Sequence, residues 1–508
     1  MQRNSIIITT LMFVFFVSCS SGSKSQNDSD TNPDADSDGS DTETLADDFD
    51  SQDADVIDDK DQSDDSDSQD SEIVDDFEEP DSDEEEPDEK EEEIFEETEP
   101  INGYKRCYDK IPAGPYEGLF ASSKLESQIK QILGYDEDHE LTEEDLKKIK
   151  EITLSVKDIR GVEKLINLET VQISTGKMYD YTPLSKLKKL KKLLIDASSM
   201  TCLDGSISLL TTLETLTIEE TKLKDVSPVE QLVNLKTLDL SLNQIEFLPE
   251  NIGNLQKLEF LIFVHNNVTD IMFLKSLTNL KELFFHYNYV EDISVVKNML
   301  DLTRFGAQGN QIRDIPDVTN LTKLTYLGLS ENQIEEIPGE IINLKKLQTL
   351  ELSFNNISNL PELNGLDSLD TLWFDNNELN DNDLMKLDGL EHVRFLDIAL
   401  NKITKVPVMK NVKSLYELLL TGNNINDLSG FADNESFPAL KRLDVGSNKI
   451  ENVEAFRNRT GLSSLWVDKN CIKDFSPLEE LKKRGTYVGG MNEQLEICER
   501  TITLEEGE

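Results

Sequence analysis

The chain has 508 residues, 37% hydrophobic and 30% charged, with a formal net charge of −52. That length allows three or four ordinary domains or one long repeat array, and the lack of any long basic run argues against a nucleic-acid partner. The charge is uneven: residues 20–100 hold 37 Asp and Glu against Lys24, Lys60 and Lys90, a net of −34.

The first element, "MQRNSIIITTLMFVFFVSC", has Arg3 near its start, an apolar stretch from Ile6 to Val17, and small Ser18 before Cys19. It is too short to span a bilayer comfortably and has the layout of a secretory signal over residues 1–18. Its ending, "FVSC", resembles the lipobox of bacterial lipoproteins, with Phe16 where that family usually has Leu. The resemblance implies lipidation of Cys19, which several acyl chains would turn into a stable membrane anchor. Ser20 in place of Asp implies sorting to the outer membrane or cell surface of a bacterial envelope.

Residues 19–100 then read as a disordered acidic tether, too poor in apolar residues to offset the entropy of ordering. A flexible linker of this length spans roughly 50 Å, and more when its charges repel. Within it, "DADSDGSDTETL" at 34–45 matches the start of a calcium loop, but Leu45 stands where the bidentate Glu belongs and no helix flanks it.

The next segment, 101–148, reads as an N-terminal cap. Its "LTEEDL" places Thr142 as N-cap with Asp145 three residues on, a near capping box.

From Ile149 the chain repeats itself. The unit is L-x-x-L-x-L-x-x-N-x-I, and its copies start at Ile149, Leu168, Leu190, Leu213, Leu235, Leu258, Leu280, Leu302, Leu324, Leu347, Leu369, Val393, Leu415, Leu440 and Leu462. Successive starts are 19 to 25 apart, most often 22. Unit positions 1, 4 and 6 point inward from a short strand, and the Asn at position 9 supplies an amide to the backbone where the chain turns. The pattern stops after Leu481, so 149–481 is the repeat region and 482–508 a closing segment.

This unit resembles the leucine-rich repeat, in the 22-residue class found in bacterial internalins and eukaryotic phosphatase-regulating proteins. The resemblance covers about residues 120–481. It implies an α/β solenoid of about fifteen repeats, a curved arc with a parallel β-sheet on its concave face, a helical N-cap and a short C-cap. For function it implies adhesion or partner recognition without catalysis or cofactor. Other roles it leaves open are an envelope spacer or a regulatory subunit of an enzyme such as a phosphatase, the latter at odds with an export signal.

Besides Cys19, an exported chain with Cys107, Cys202, Cys471 and Cys498 allows two disulfides in three connectivities. Cys471 in the last repeat and Cys498 in the tail form the natural pair. Cys107 with Cys202 follows, provided that the segment before the cap folds back along the early repeats.

Positions 3, 5, 7 and 8 of each unit face away from the core, and stacking sets equal positions about 4.8 Å apart. The candidate partner-binding residues on this grid are Phe260, Ile262, His265, Phe284, His286, Tyr287, Arg304, Tyr326, Phe354, Trp373 and Phe395. Large groups that the core does not need mark a binding patch for a protein or glycan. Gly306, Gly309 and Gly328 interrupt the patch and are expected to leave a trough between aromatic walls. His265 and His286 fall on adjacent strands but lack the further ligands of a zinc site. "KLKKLKKLL" at 186–194 lies mostly on a connection and reads as a solvated convex face. "STGK" at 174–177 ends a strand, with Val171 where a phosphate loop needs its first Gly. No hydrolase, metalloprotease or dinucleotide motif is present, and a monomer is expected.

Overall fold

The computed structural model describes residues 94–495 apart from 176, 177, 179 and 198. The leader, Cys19, the acidic segment up to residue 93, the calcium-like loop and Cys498 lie outside the described residues. The tether expectation ends earlier than residue 100: β1 (Ile94–Glu97) pairs antiparallel with β2 (Lys110–Ala113), Ile94 opposite Ala113.

Two helices then close the start of the solenoid. In α1 (Ser123–Leu133) the Ser122 side chain accepts from the Leu125 amide, and Gly134 ends the helix in the left-handed region, at φ 73°. Leu125 and Ile129, one turn apart, are fully buried. The short α2 (Glu143–Leu146) has the anticipated capping box: the Asp145 amide donates to the Thr142 hydroxyl and the Thr142 amide to the Asp145 carboxylate.

Sixteen parallel strands follow in sequence order, from β3 (Glu151–Leu154) to β18 (Tyr487–Gly489), in one open sheet. Their register joins equal repeat positions, as in Arg304 opposite Tyr326 and Tyr326 opposite Thr349. Fifteen strands come from the fifteen units. The sixteenth corrects the closing segment: α5 (Ser476–Lys483) leads into β18, which extends the sheet by one rung.

Inward positions form a continuous core, with Leu280, Leu283 and Phe285 each fully buried. The return connections are mostly single 3₁₀ turns, with α3 (Thr182–Ser185) in an early one. The 24-residue spacing from Leu369 to Val393 accommodates α4 (Asp381–Lys386), capped reciprocally by Asn380 and Asp383. Lys186, Lys188, Lys189 and Lys191 are exposed, as expected of a solvated connection, and Lys191 pairs with Glu214 at 2.8 Å.

Each position-9 Asn ties its own repeat to the one before it. The Asn288 Nδ2 donates to the carbonyls of Phe263, Phe285 and His286 at 3.0, 3.1 and 3.3 Å, and its Oδ1 accepts from the Val268 amide at 2.9 Å. The same pattern recurs from Asn266 to Asn470. Backbone groups at a buried turn are thereby satisfied without a ladder partner.

The segment before the N-cap does fold back along the early repeats. Cys107 and Cys202 form a disulfide with a Cα separation of 5.7 Å, and Arg106 reaches Asp204 at 2.9 Å and Asp180 at 3.1 Å. Tyr104 donates to Glu230 at 2.7 Å, and the Gly205 amide donates to the Lys105 carbonyl at 2.8 Å. A Cβ on Gly205 would stand 2.7 Å from the Tyr104 carbonyl oxygen, so the close approach requires glycine there. At the other end Cys471 is disulfide-bonded.

Candidate functional site: the open face of the sheet

One face of the sheet packs on the core and the other carries positions 3, 5, 7 and 8. Its middle consists of β8 (Phe260–Ile262), β9 (Glu282–Phe284), β10 (Arg304–Gly306), β11 (Tyr326–Gly328), β12 (Thr349–Glu351), β13 (Thr371–Trp373) and β14 (Phe395–Asp397). All eleven candidate residues lie on this face or on the turn just after it. They do not form one uniform patch.

The glycine trough is not there. A Cβ on Gly306 would meet the Phe284 ring at 2.7 Å and the His286 ring at 2.5 Å, and one on Gly328 would meet the Tyr326 hydroxyl. The rings lean into the space that each glycine leaves, because an apolar ring gains more by covering backbone than by standing in water. Phe284 and His286 are therefore 7% and 4% exposed, and the expectation that both are presented to a partner is corrected on that ground. The His286 Nδ1 accepts from the Gln308 amide at 3.1 Å, and burial, helped by His265 and Arg304, pushes its pKa down to about 4.

Arg304 is the centre of this closed patch. Its guanidinium lies 5.1 Å from the Phe284 ring centre and 5.3 Å from that of Tyr326, and it approaches Glu282 at 3.7 Å. The Tyr326 hydroxyl donates to Glu351 at 2.7 Å, and burial followed by the Glu351 charge raises its pKa well above the ordinary value.

Position 8 holds a feature that periodicity does not announce. In twelve consecutive repeats, from Glu220 to Lys469, this residue is in the left-handed region; ten are not glycine, and Gly309 and Gly422 are the others. The conformation turns the chain into the Asn ladder and throws the side chain outward. His265 and Tyr287, at φ 53° and 55°, stack with ring centres 4.5 Å apart. They line a shallow cleft of about 390 Å³ with Asn266, Tyr289 and Gly309. Phe354 and Leu400 at the same position are 44% and 50% exposed.

Toward the C-terminus the face is more open. Trp373 and Phe395 are partly exposed and touch at a centroid distance of 4.5 Å. Carboxylates surround them. Burial, then the charges of Asp375, Asp444 and Glu417, pushes Asp397 up to about 7, and burial also raises Asp375 and Asp444. A second acidic pair, Glu219 and Asp239, lies on the early strands, where burial and the neighbouring carboxylate push Glu219 up to about 8.

Size and aromaticity do not single out these Asp residues, although the repeat phase assigns them to the outward positions 5 and 7. Among the described residues no three or more His, Cys, Asp or Glu gather as a metal site requires. No helix among them is long and apolar enough to cross a membrane.

Comparison with known proteins agrees with this architecture. Residues 295–479 match the family described as leucine-rich repeat region, and 256–298 and 234–255 match shorter leucine-rich-repeat families. No curated protein matches. Among solved structures, a leucine-rich-repeat protein of Leptospira interrogans is 23% identical with a TM-score of 0.58, over 68% of this chain and 97% of that one. The functional domain of the internalin InlJ from Listeria monocytogenes, which includes a cysteine ladder, is 24% identical with a TM-score of 0.59, over 71% and 77%. A plant peptide hormone receptor, RGFR1 in complex with RGF2, is 21% identical with a TM-score of 0.54, over 69% and 64%. The fold is a leucine-rich-repeat solenoid.

Proposed function

We propose that this leucine-rich-repeat protein is a non-enzymatic, monomeric binding protein, anchored through lipidated Cys19 at a bacterial surface, whose open sheet face recognises a protein or glycan partner. The observation that carries this reading is the set of large side chains left partly in water on a face the core does not use: Phe260, Tyr326, Phe354, Trp373 and Phe395. Removing apolar area from water yields about 25 cal/mol per Å², so such groups are natural anchors for a partner. The acidic segment before the fold is the spacer that holds this face away from the membrane. The buried pair Phe284 and His286 sets the shape of the face and is not a direct contact.

The test is a double variant, Phe354→Ser with Trp373→Ser, in the full chain. Cell attachment or capture of a partner should be lost while the melting temperature stays within a few degrees of the parent. Attachment that persists in the folded variant removes the reading. Palmitate incorporation should likewise vanish in Cys19→Ala, and unchanged labelling refutes the anchor.

A further inference from the structure

The fifth position of each repeat forms a line across the sheet. From β12 onward, through β15 (Glu417–Leu419), β16 (Arg442–Asp444) and β17 (Ser464–Trp466), the register places Glu351, Trp373, Asp397, Leu419, Asp444 and Trp466 side by side. Acidic and apolar side chains alternate strictly over six rungs. Neighbouring strands are about 4.8 Å apart, so the acids recur about every 9.6 Å, with an apolar rung midway.

Glu351 is met by the Tyr326 hydroxyl and the nearby Arg304 charge, but the other two acids lack cations. Among the described residues no Lys or Arg pairs with Asp397 or Asp444, whereas Glu417 beside them is matched by Arg442 at 3.2 Å. Asp397, at 7% exposed, is as covered as Phe284, but unlike that ring it is not satisfied by its surroundings: one of its oxygens accepts from the Ala399 amide at 2.9 Å, and no other described donor reaches it. A carboxylate held so, on the outward face and away from any positive charge, is costly unless something arrives to pair with it. Alongside the line Ala399 at position 7 is small, and the space beside Gly446 is filled by the Asp468 and Asp444 carboxylates, which adds a further acid to this stretch.

Resting on the binding reading above, we infer that this line binds a basic, extended polypeptide segment laid across the strands, with a Lys or Arg at every third residue and apolar residues between. A polyproline II segment rises about 3.1 Å per residue with three residues per turn, so every third side chain returns to the same side after about 9.3 Å. That matches the acid spacing. The two residues between fall about 3.1 and 6.2 Å along, straddling the apolar rung. A β-strand returns a side chain to the same face after about 6.6 Å and loses register at the second acid.

The experiment titrates the full chain with the synthetic peptide (Lys-Pro-Leu)4, with (Glu-Pro-Leu)4, and with a peptide of the same length and composition carrying its four Lys at alternate residues. The proposal expects (Lys-Pro-Leu)4 to bind about tenfold more tightly than the respaced peptide. It expects that preference to disappear in Asp397→Asn with Asp444→Asn, and binding to weaken with added salt. The acidic N-terminal segment is the same in every variant, so peptide held there alone binds both spacings equally and is unmoved by the substitutions, which overturns the proposal. Calcium binding that depends on Asp397 and Asp444, with peptide binding unchanged, overturns it as well by assigning the rungs to a cation. If (Lys-Pro-Leu)4 shows no preference while attachment is still lost in the Phe354 and Trp373 variant, this inference fails and the binding reading stands.

Discussion

The most direct test of how the solenoid is held together is replacement of Asn288. Its Nδ2 serves three carbonyls and its Oδ1 serves the Val268 amide, at 2.9 to 3.3 Å, with the residue only 4% exposed. Each such bond contributes about 1 kcal/mol net, and a buried amide left unpaired costs about 1–3 kcal/mol. Asn288→Ala should therefore weaken the coupling between the repeats starting at Leu258 and Leu280 by about 3 kcal/mol. In a solenoid that loss is local, because each repeat contacts only its neighbours. The readout is thus hydrogen exchange at the Val268 amide, followed by mass spectrometry, beside a thermal melt.

Asn288→Asp sharpens this test. The new carboxyl faces three carbonyl oxygens, so its pKa in the folded state must lie above the unfolded value. Protonation then favours the fold: stability is fully present below about pH 4 and falls as pH rises through the raised value. The melting temperature of the Asp variant should drop between pH 4 and pH 8 relative to the Ala variant. Protection of Val268 in Asn288→Ala equal to the parent's, or a flat pH profile for Asn288→Asp, would falsify the account of the Asn as the tie between turns.

Two further outcomes are expected. Replacing Cys107 and Cys202 by Ser opens a loop closed across a sequence separation of 95. In the chain-entropy description this costs about 4–5 kcal/mol, and limited proteolysis should cut near residues 101–115 in the variant well before the parent; equal cutting rates would show that the ion pairs of Arg106 suffice. Asp397, with its pKa raised to about 7, makes folding less favourable as pH climbs from about 4 through 7. Asp397→Asn should therefore gain stability over the parent at pH 8 and show no gain at pH 4, as measured by denaturant unfolding; an equal effect at both pH values excludes burial of the charge as the cause.

Much of this molecule can be read from its repeat phase alone. The alternation within each unit assigns Leu280, Leu283 and Phe285 to the core and Asn288 to the turn, and the structure has them there. What the phase does not contain is the direction in which a side chain leans. Phe284 and His286 occupy outward positions, but the vacancy at Gly306 draws both rings over the backbone, a matter of rotamers that no spacing encodes. The left-handed backbone at position 8 escaped for a related reason. Where Gly309 stands the sequence signals it, but His265, Tyr287 and Phe354 adopt it against their own preference, held by the ladder on either side. The closing strand β18 has no repeat signature, since only its neighbour β17 selects it. The alternating acids and apolar residues lie 22 to 25 residues apart in the sequence and are neighbours only through the strand register.

The position-8 turn also separates what folding asks from what it does not. A bulky residue in the left-handed region costs about 1–2 kcal/mol that glycine avoids. At Phe354 and Leu400 the covered half of the side chain does little more than offset that cost, since the other half is in water. Replacing either with glycine should leave the solenoid as stable or more so, while deleting what the turn displays. Such sites are places where the molecule is less stable than its own backbone permits. They are the points at which to graft, label or re-aim the surface without disturbing the scaffold beneath.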